Sequence, residues 1–89
     1  MTIIQSIRQK VIDRGYYLSS HAEEGMLDDD LDRIDIENAI LKGYIEKRMT
    51  QDIRGTRYRL EGPALDGRLI VLCRFKENAN MILITVYAL

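Results

Sequence analysis

Two apolar runs, Gly67-Arg-Leu-Ile-Val-Leu-Cys-Arg-Phe75 and Met81-Ile-Leu-Ile-Thr-Val-Tyr87, restrict the folds open to this chain more than any other feature. Both are rich in β-branched residues, and the segment between them, Lys76-Glu-Asn-Ala-Asn80, is polar and rich in turn formers. That pattern predicts a β-hairpin. Over their middles both runs are apolar at odd and even positions alike, as expected of strands covered on two faces. They are therefore expected at the centre of a sheet, with the earlier elements packed on it. At only 89 residues the chain forms one domain with a single core.

The earlier segments read as helices first and strands second. Ile3, Ile4, Ile7 and Val11 recur at helical spacing, with Thr2 as the cap and Gly15 as the stop. Tyr16-Tyr-Leu-Ser19 reads as short and extended, a candidate edge strand. Ser20-His-Ala-Glu23 has the form of a capping box opening a short helix that runs to about Leu27. After the break at Asp28-Asp-Asp-Leu-Asp32, Asp32 and Asp35 cap a third helix. Its apolar stripe is Ile36, Ala39 and Ile40, and Gly43 ends it. Tyr44 to Gln51 alternates moderately, and Thr56 to Glu61 alternates cleanly. The latter puts Arg57 and Arg59 on one face and Tyr58 and Leu60 on the other. The expected architecture is α+β: N-terminal helices on one face of a four-stranded, mainly antiparallel twisted sheet.

Charge divides along the chain. Residues 1–52 carry seven Lys/Arg against eleven Asp/Glu, net −4, whereas residues 53–89 carry six against three, net +3. An acidic helical part and a basic sheet imply two surfaces suited to different partners, although a small domain can also divide its charge by chance. The single cysteine, Cys73, lies inside an apolar strand and reads as a small buried hydrophobe in a reducing compartment. The N-terminal apolar run breaks too early for a signal peptide or a membrane span, so a cytoplasmic location is expected.

Candidates for chemistry are few. His21, the only histidine, falls at the start of a capped helix, where the positive helix end disfavours its protonation and would leave it able to act as a base. A histidine at a helix start is also a common surface residue, so position alone leaves both readings open. Arg57 and Arg59, with Arg54 in the preceding turn, form the strongest basic signal. Two residues apart on one strand face, they stand about 7 Å apart, close to the spacing of successive phosphates on one nucleic-acid strand. Arg68 or Arg74 beside them would extend a patch suited to phosphate. Pairing of these arginines with Glu46 or Glu61 on an ordinary polar face is the competing reading. Thr85 and Tyr87 share a parity on the last strand, where a tyrosine can bond phosphate, stack on a base, or simply be a half-buried strand aromatic. The acidic stretch does not fit a calcium loop: counted from Asp28, the sixth position is Arg33 and the twelfth Ala39. No zinc, phosphate-loop, dinucleotide or nucleophile-elbow pattern is present, and no cofactor is expected.

With these positions fixed, a resemblance emerges. Ser20-His21-Ala22, an acidic break, Asp35-Ile36-x-x-Ala39-Ile40-x-x-Gly43, Arg57-Tyr58-Arg59-Leu60-x-Gly62, Gly67-Arg68 and Ile84-Thr85-Val86-Tyr87 follow one another in order. Together they resemble a family of small uncharacterised bacterial domains, domain of unknown function 4258. That family is itself similar to the RelE-like toxins and to their MqsR branch. The resemblance implies a RelE-like fold and, as activity, metal-independent endoribonuclease cleavage of mRNA by the toxin of a toxin–antitoxin pair. Its implied partners are RNA, ribosome-associated mRNA included, and a cognate antitoxin, often a small zinc-finger protein; no membrane is implied. His21 would then be base or acid, Arg57 and Arg59 the phosphate clamp, and Tyr87 a positioning group or proton donor. Arg54, Arg68 and Arg74 would add phosphate contacts. The alternative is a non-catalytic module of the same fold that binds RNA or a protein.

Overall fold

In the computed structural model, residues 2–50, 56–77 and 80–89 are described, with side chains at all of them except 74–77 and 80. The described elements, in chain order, are α1 (Ile3–Ile12), β1 (Tyr16–Leu18), α2 (Ser20–Asp28), α3 (Arg33–Lys42), β2 (Tyr44–Met49), β3 (Arg57–Pro63), β4 (Leu69–Glu77) and β5 (Asn80–Ala88). Three helices and a five-stranded mixed sheet make an α+β domain, one strand more than expected. The strand order is β1-β5-β4-β3-β2. The extra strand is β1, only three residues long, which pairs parallel with β5 through Tyr16↔Met81 and Leu18↔Leu83. Tyr16–Ser19 reads as a candidate edge strand but does not enter the four-strand count, because three residues are too few for alternation to secure and parallel pairing leaves no local turn signal.

The remaining ladders are antiparallel. β4 and β5 form the anticipated hairpin, with Leu72 opposite Val86 and Cys73 opposite Thr85. β3 lies on the other side of β4, with Leu60 opposite Leu72 and Arg59 opposite Cys73. Alternation along β3 is complete: Tyr58, Leu60 and Gly62 are buried and Arg57, Arg59 and Glu61 half-buried. The first set enters the core with Ile70, Leu72, Met81, Leu83 and Val86, against Ile7, Val11, Ala22, Met26, Ile36, Ala39 and Ile40 of the helices. The helices thus share one face, and no described helix lies on the Arg57–Arg59 face.

Caps and close approaches hold the helices in place. Thr2 and Gln5 form a reciprocal capping box on α1. On α3 the Asp32 amide donates to Asp35 Oδ2 at 2.9 Å, while Asp35 Oδ1 accepts from the Leu65 amide at 3.0 Å. Because Asp35 also secures the β3–β4 loop, it is buried. The cap of α2 is Ser19, not Ser20: its hydroxyl accepts from the Ala22 amide at 3.0 Å and donates to the Ile84 carbonyl at 3.1 Å. Ser19 prevails because that second bond, and its amide's bond to the Leu83 carbonyl at 2.9 Å, tie the start of the helix to β5. At α1 the left-handed residue is Arg14, φ 56°, and Gly15 closes the turn by donating to the Lys10 carbonyl.

From that anchor α2 runs along the outer margin of β5, beyond the end of β1. A Cβ at Gly25 would lie 2.0 Å from the Val86 carbonyl oxygen, so only glycine allows this approach. One turn on, Asp29 Oδ2 accepts from the Ala88 amide at 2.8 Å. α2 therefore closes the sheet edge that β1 is too short to cover.

Candidate nucleic-acid interface on the open sheet face

Pairing aligns the open face in rows across the strands. One row runs Lys47, Arg59, Cys73 and Thr85; the next toward the β4 N-terminus runs Tyr44, Glu61, Val71 and Tyr87. Arg57 lies on the same face, opposite Met49 and Phe75. Val71 is fully buried although no described helix covers this side. Apolar Val71 and half-buried Cys73 form a floor beneath longer polar side chains.

Charge on this face is mixed. Arg59 Nε lies 3.3 Å from Glu46 Oε2, an ion pair whose geometry falls outside hydrogen bonding, since the Nε has no hydrogen-bond partner. Both side chains are about one-third exposed, so water screens the pair. Tyr44 donates to Glu61 Oε2 at 2.6 Å, and this bond raises the phenol pKa above its usual value. At Cys73 burial holds the thiol above its ordinary pKa, with the Arg59 and Arg57 guanidiniums pulling the other way.

The sequence-derived candidates separate into groups. Arg57, Arg59 and Tyr87 share the open face, and Thr85 shares the row of Arg59. Arg68 serves elsewhere: its Nε donates to Asp66 Oδ2 at 2.8 Å, and its terminal nitrogens donate to the Asp29 and Asp30 carbonyls at 2.6 and 3.1 Å. It clasps the α2–α3 turn to the β3–β4 loop. His21 is exposed, one helical turn before Gly25, and among the described residues it makes no hydrogen bond or ion pair. Its helix lies beyond β5, and β5 is two strands, about 10 Å, from β3. The structure does not bring His21 together with the arginine pair. Arg54 and the side chain of Arg74 lie outside the described residues.

Sequence reasoning passed over three groups on this face as functional candidates: Tyr44, Glu61 and Cys73. Glu46 and Glu61 entered only as ion-pair partners, although the alternation of β3 already placed Glu61 beside Arg59. Among the described residues, no three His, Cys, Asp or Glu side chains converge as a metal site requires. No described helix is long and apolar enough to cross a membrane.

Comparison with known proteins gives one match: the sequence family described as "Domain of unknown function (DUF4258)" matches residues 18–88. No curated protein and no solved structure matches the chain.

Proposed function

Because the chain belongs to this family of domains of unknown function, whose description names no activity, we propose a function from the open face: binding and metal-independent cleavage of single-stranded RNA, as the toxin of a toxin–antitoxin pair on a RelE-like fold. The observation that carries it is the placement of Arg57 and Arg59 on one uncovered face with Thr85 and Tyr87. Strand positions two apart lie about 7 Å from each other, a spacing close to that of consecutive phosphates, and Tyr87 offers a ring on which an unstacked base can lie.

The reaction needs few groups. A base takes the proton of a ribose 2′-hydroxyl, whose oxygen attacks the adjacent phosphorus. The 5′-oxygen leaves with a proton from an acid, giving a cyclic phosphate. Arg57 and Arg59 stabilise charge developing on the phosphoryl oxygens, a role worth about 3 kcal/mol per donor in comparable sites. Glu46 and Glu61, neighbours of Arg59, and Tyr87 are base and acid candidates on the face itself; His21 would have to reach the RNA from beside β5. The proposed partners are RNA and an antitoxin protein, and the proposed compartment is the bacterial cytoplasm.

A second reading, a non-catalytic RNA- or protein-binding module, draws support from His21 standing apart from the arginines. One experiment separates the two: mixed-sequence RNA incubated with the protein in chelator, alongside His21→Ala, Arg57→Ala, Arg59→Ala, Glu61→Gln and Tyr87→Phe. Cleavage lost in the arginine variants supports the ribonuclease. RNA bound through the arginines but left intact supports the binding module. No arginine-dependent effect on RNA removes the open face as an RNA site.

A further inference from the structure

The two edges of the sheet are treated differently. On the β5 side Ser19, Gly25 and Asp29 meet the Leu83, Ile84 and Val86 carbonyls and the Ala88 amide. On the other side β2 ends the strand order, and no described element covers its outer margin. A strand edge left open presents alternating amides and carbonyls, a template that an extended peptide can match and a nucleic acid cannot.

The side chains of β2 narrow the choice of occupant. Ile45 and Met49 are half-buried, whereas Lys47 and Arg48 between them are exposed. Glu46 is engaged by Arg59. Lys47 and Arg48 make no ion pair among the described residues, so the uncommitted charge on this margin is positive. Lys47 is in register with Arg59 and Arg48 with Tyr58, so the two project to opposite sides of the sheet. An added strand would meet them with two consecutive residues.

Charge and bulges on edge strands commonly serve to prevent association, and β2 has both, with its register shift between Ile45 and Lys47. Here the guard is net positive: Lys47 and Arg48 outnumber Glu46, which faces Arg59. It opposes a second copy, which would bring the same two cations to the seam, and it favours an acidic strand. We propose that β2 is the docking edge for an extended acidic segment of another protein, added as a sixth strand, with consecutive carboxylates facing Lys47 and Arg48 and apolar residues beside Ile45 and Met49. This goes beyond the RNA reading and does not depend on it: the docking groups are the outward amides and carbonyls of β2, and the two surfaces share only Lys47, which lies in the Arg59 row of the open face.

The probe is a fluorescein-labelled peptide, Thr-Val-Glu-Glu-Val-Thr, titrated against the intact protein by anisotropy. Three controls accompany it: a Lys-Lys version, a backbone N-methylated version and single-stranded RNA as competitor. Hydrogen exchange follows the β2 amides. Saturable binding, at least tenfold weaker for the Lys-Lys and N-methylated peptides, with amide protection gained at residues 44–49, is the expected result. Lys47→Gln/Arg48→Gln, two exposed positions that leave the core intact, should weaken it about tenfold. The proposal is overturned by absence of saturable binding, by equal binding of the N-methylated peptide, or by indifference to the double substitution. Protection elsewhere, displacement by RNA at stoichiometric amounts, or concentration-dependent pairing of the protein with itself through β2 would overturn it as well.

Discussion

At Gly25 a single hydrogen decides whether a helix can lie against a strand. A methyl group there would meet the Val86 carbonyl at 2.0 Å, and backbone on both sides cannot yield as a flexible side chain would. Gly25→Ala is expected to lose about 2–3 kcal/mol, read as a fall in the urea midpoint with little change in slope. Tyr16 offers a second residue-level test. Burial, then its 2.6 Å bond to Glu37, raises its pKa well above the ordinary 10.0. The folded state therefore keeps a proton that the unfolded chain releases near pH 10. The stabilisation is fully present below that pH and declines as pH rises beyond it. Tyr16→Phe should flatten the alkaline limb of a stability–pH curve; an unchanged limb would remove this role. Neither residue was legible in the sequence. Glycine in a helix pattern looks like a weak point until its neighbour is known, and the phenol's partner lies twenty-one positions away.

Among the elements, β2 to β5 and two of the three caps could be read directly, and β1 only as a candidate, because alternation, apolar content and capping residues are local properties. β3 is the clearest instance, since its parity alone placed the arginines on the uncovered face. What could not be read was association: β1 with β5, α2 along the margin, and Arg68 drawn into a clasp. Each depends on partners distant in sequence. Leu72, fully buried in β4 between Leu60 and Val86, should cost about 2–5 kcal/mol on replacement by alanine. Hydrogen exchange should rank the strands, with β4 amides slowest and those on the outer margin of β2 fastest. Comparable protection on that margin in the isolated protein would mean it is already covered.

For the whole molecule, the division of charge is less stark in three dimensions than along the chain. Several carboxylates of the acidic half serve as structure: Asp29 holds β5, Asp35 the β3–β4 loop. The open face sets Arg57, Arg59 and Lys47 against Glu46 and Glu61, a modest positive balance. RNA affinity should accordingly fall gently with salt. Two phosphate contacts give a slope of about −1.4 in log K against log salt, and each Arg→Gln at positions 57 and 59 should remove about 0.7. A slope unchanged in both variants would place the contacts elsewhere. Here too the sequence was partly informative. It located the cations and offered Glu46 and Glu61 as their partners, but that Arg59 meets Glu46 depends on the register of a neighbouring strand.

The parallel pairing of β1 with β5 also bears on the order of events during synthesis. β5 leaves the ribosome after every other described element, yet β1, β4 and α2 all rest on it. Until it arrives, the earliest strand has no neighbour, the glycine of α2 has no carbonyl to approach, and Thr85 and Tyr87 do not exist. A nascent chain halted before residue 80 would hold its helices and arginines without the surface that makes them useful. Such long-range closure is slow and leaves intermediates exposed. Whatever this face does, the chain acquires the capacity only once β5 has been made.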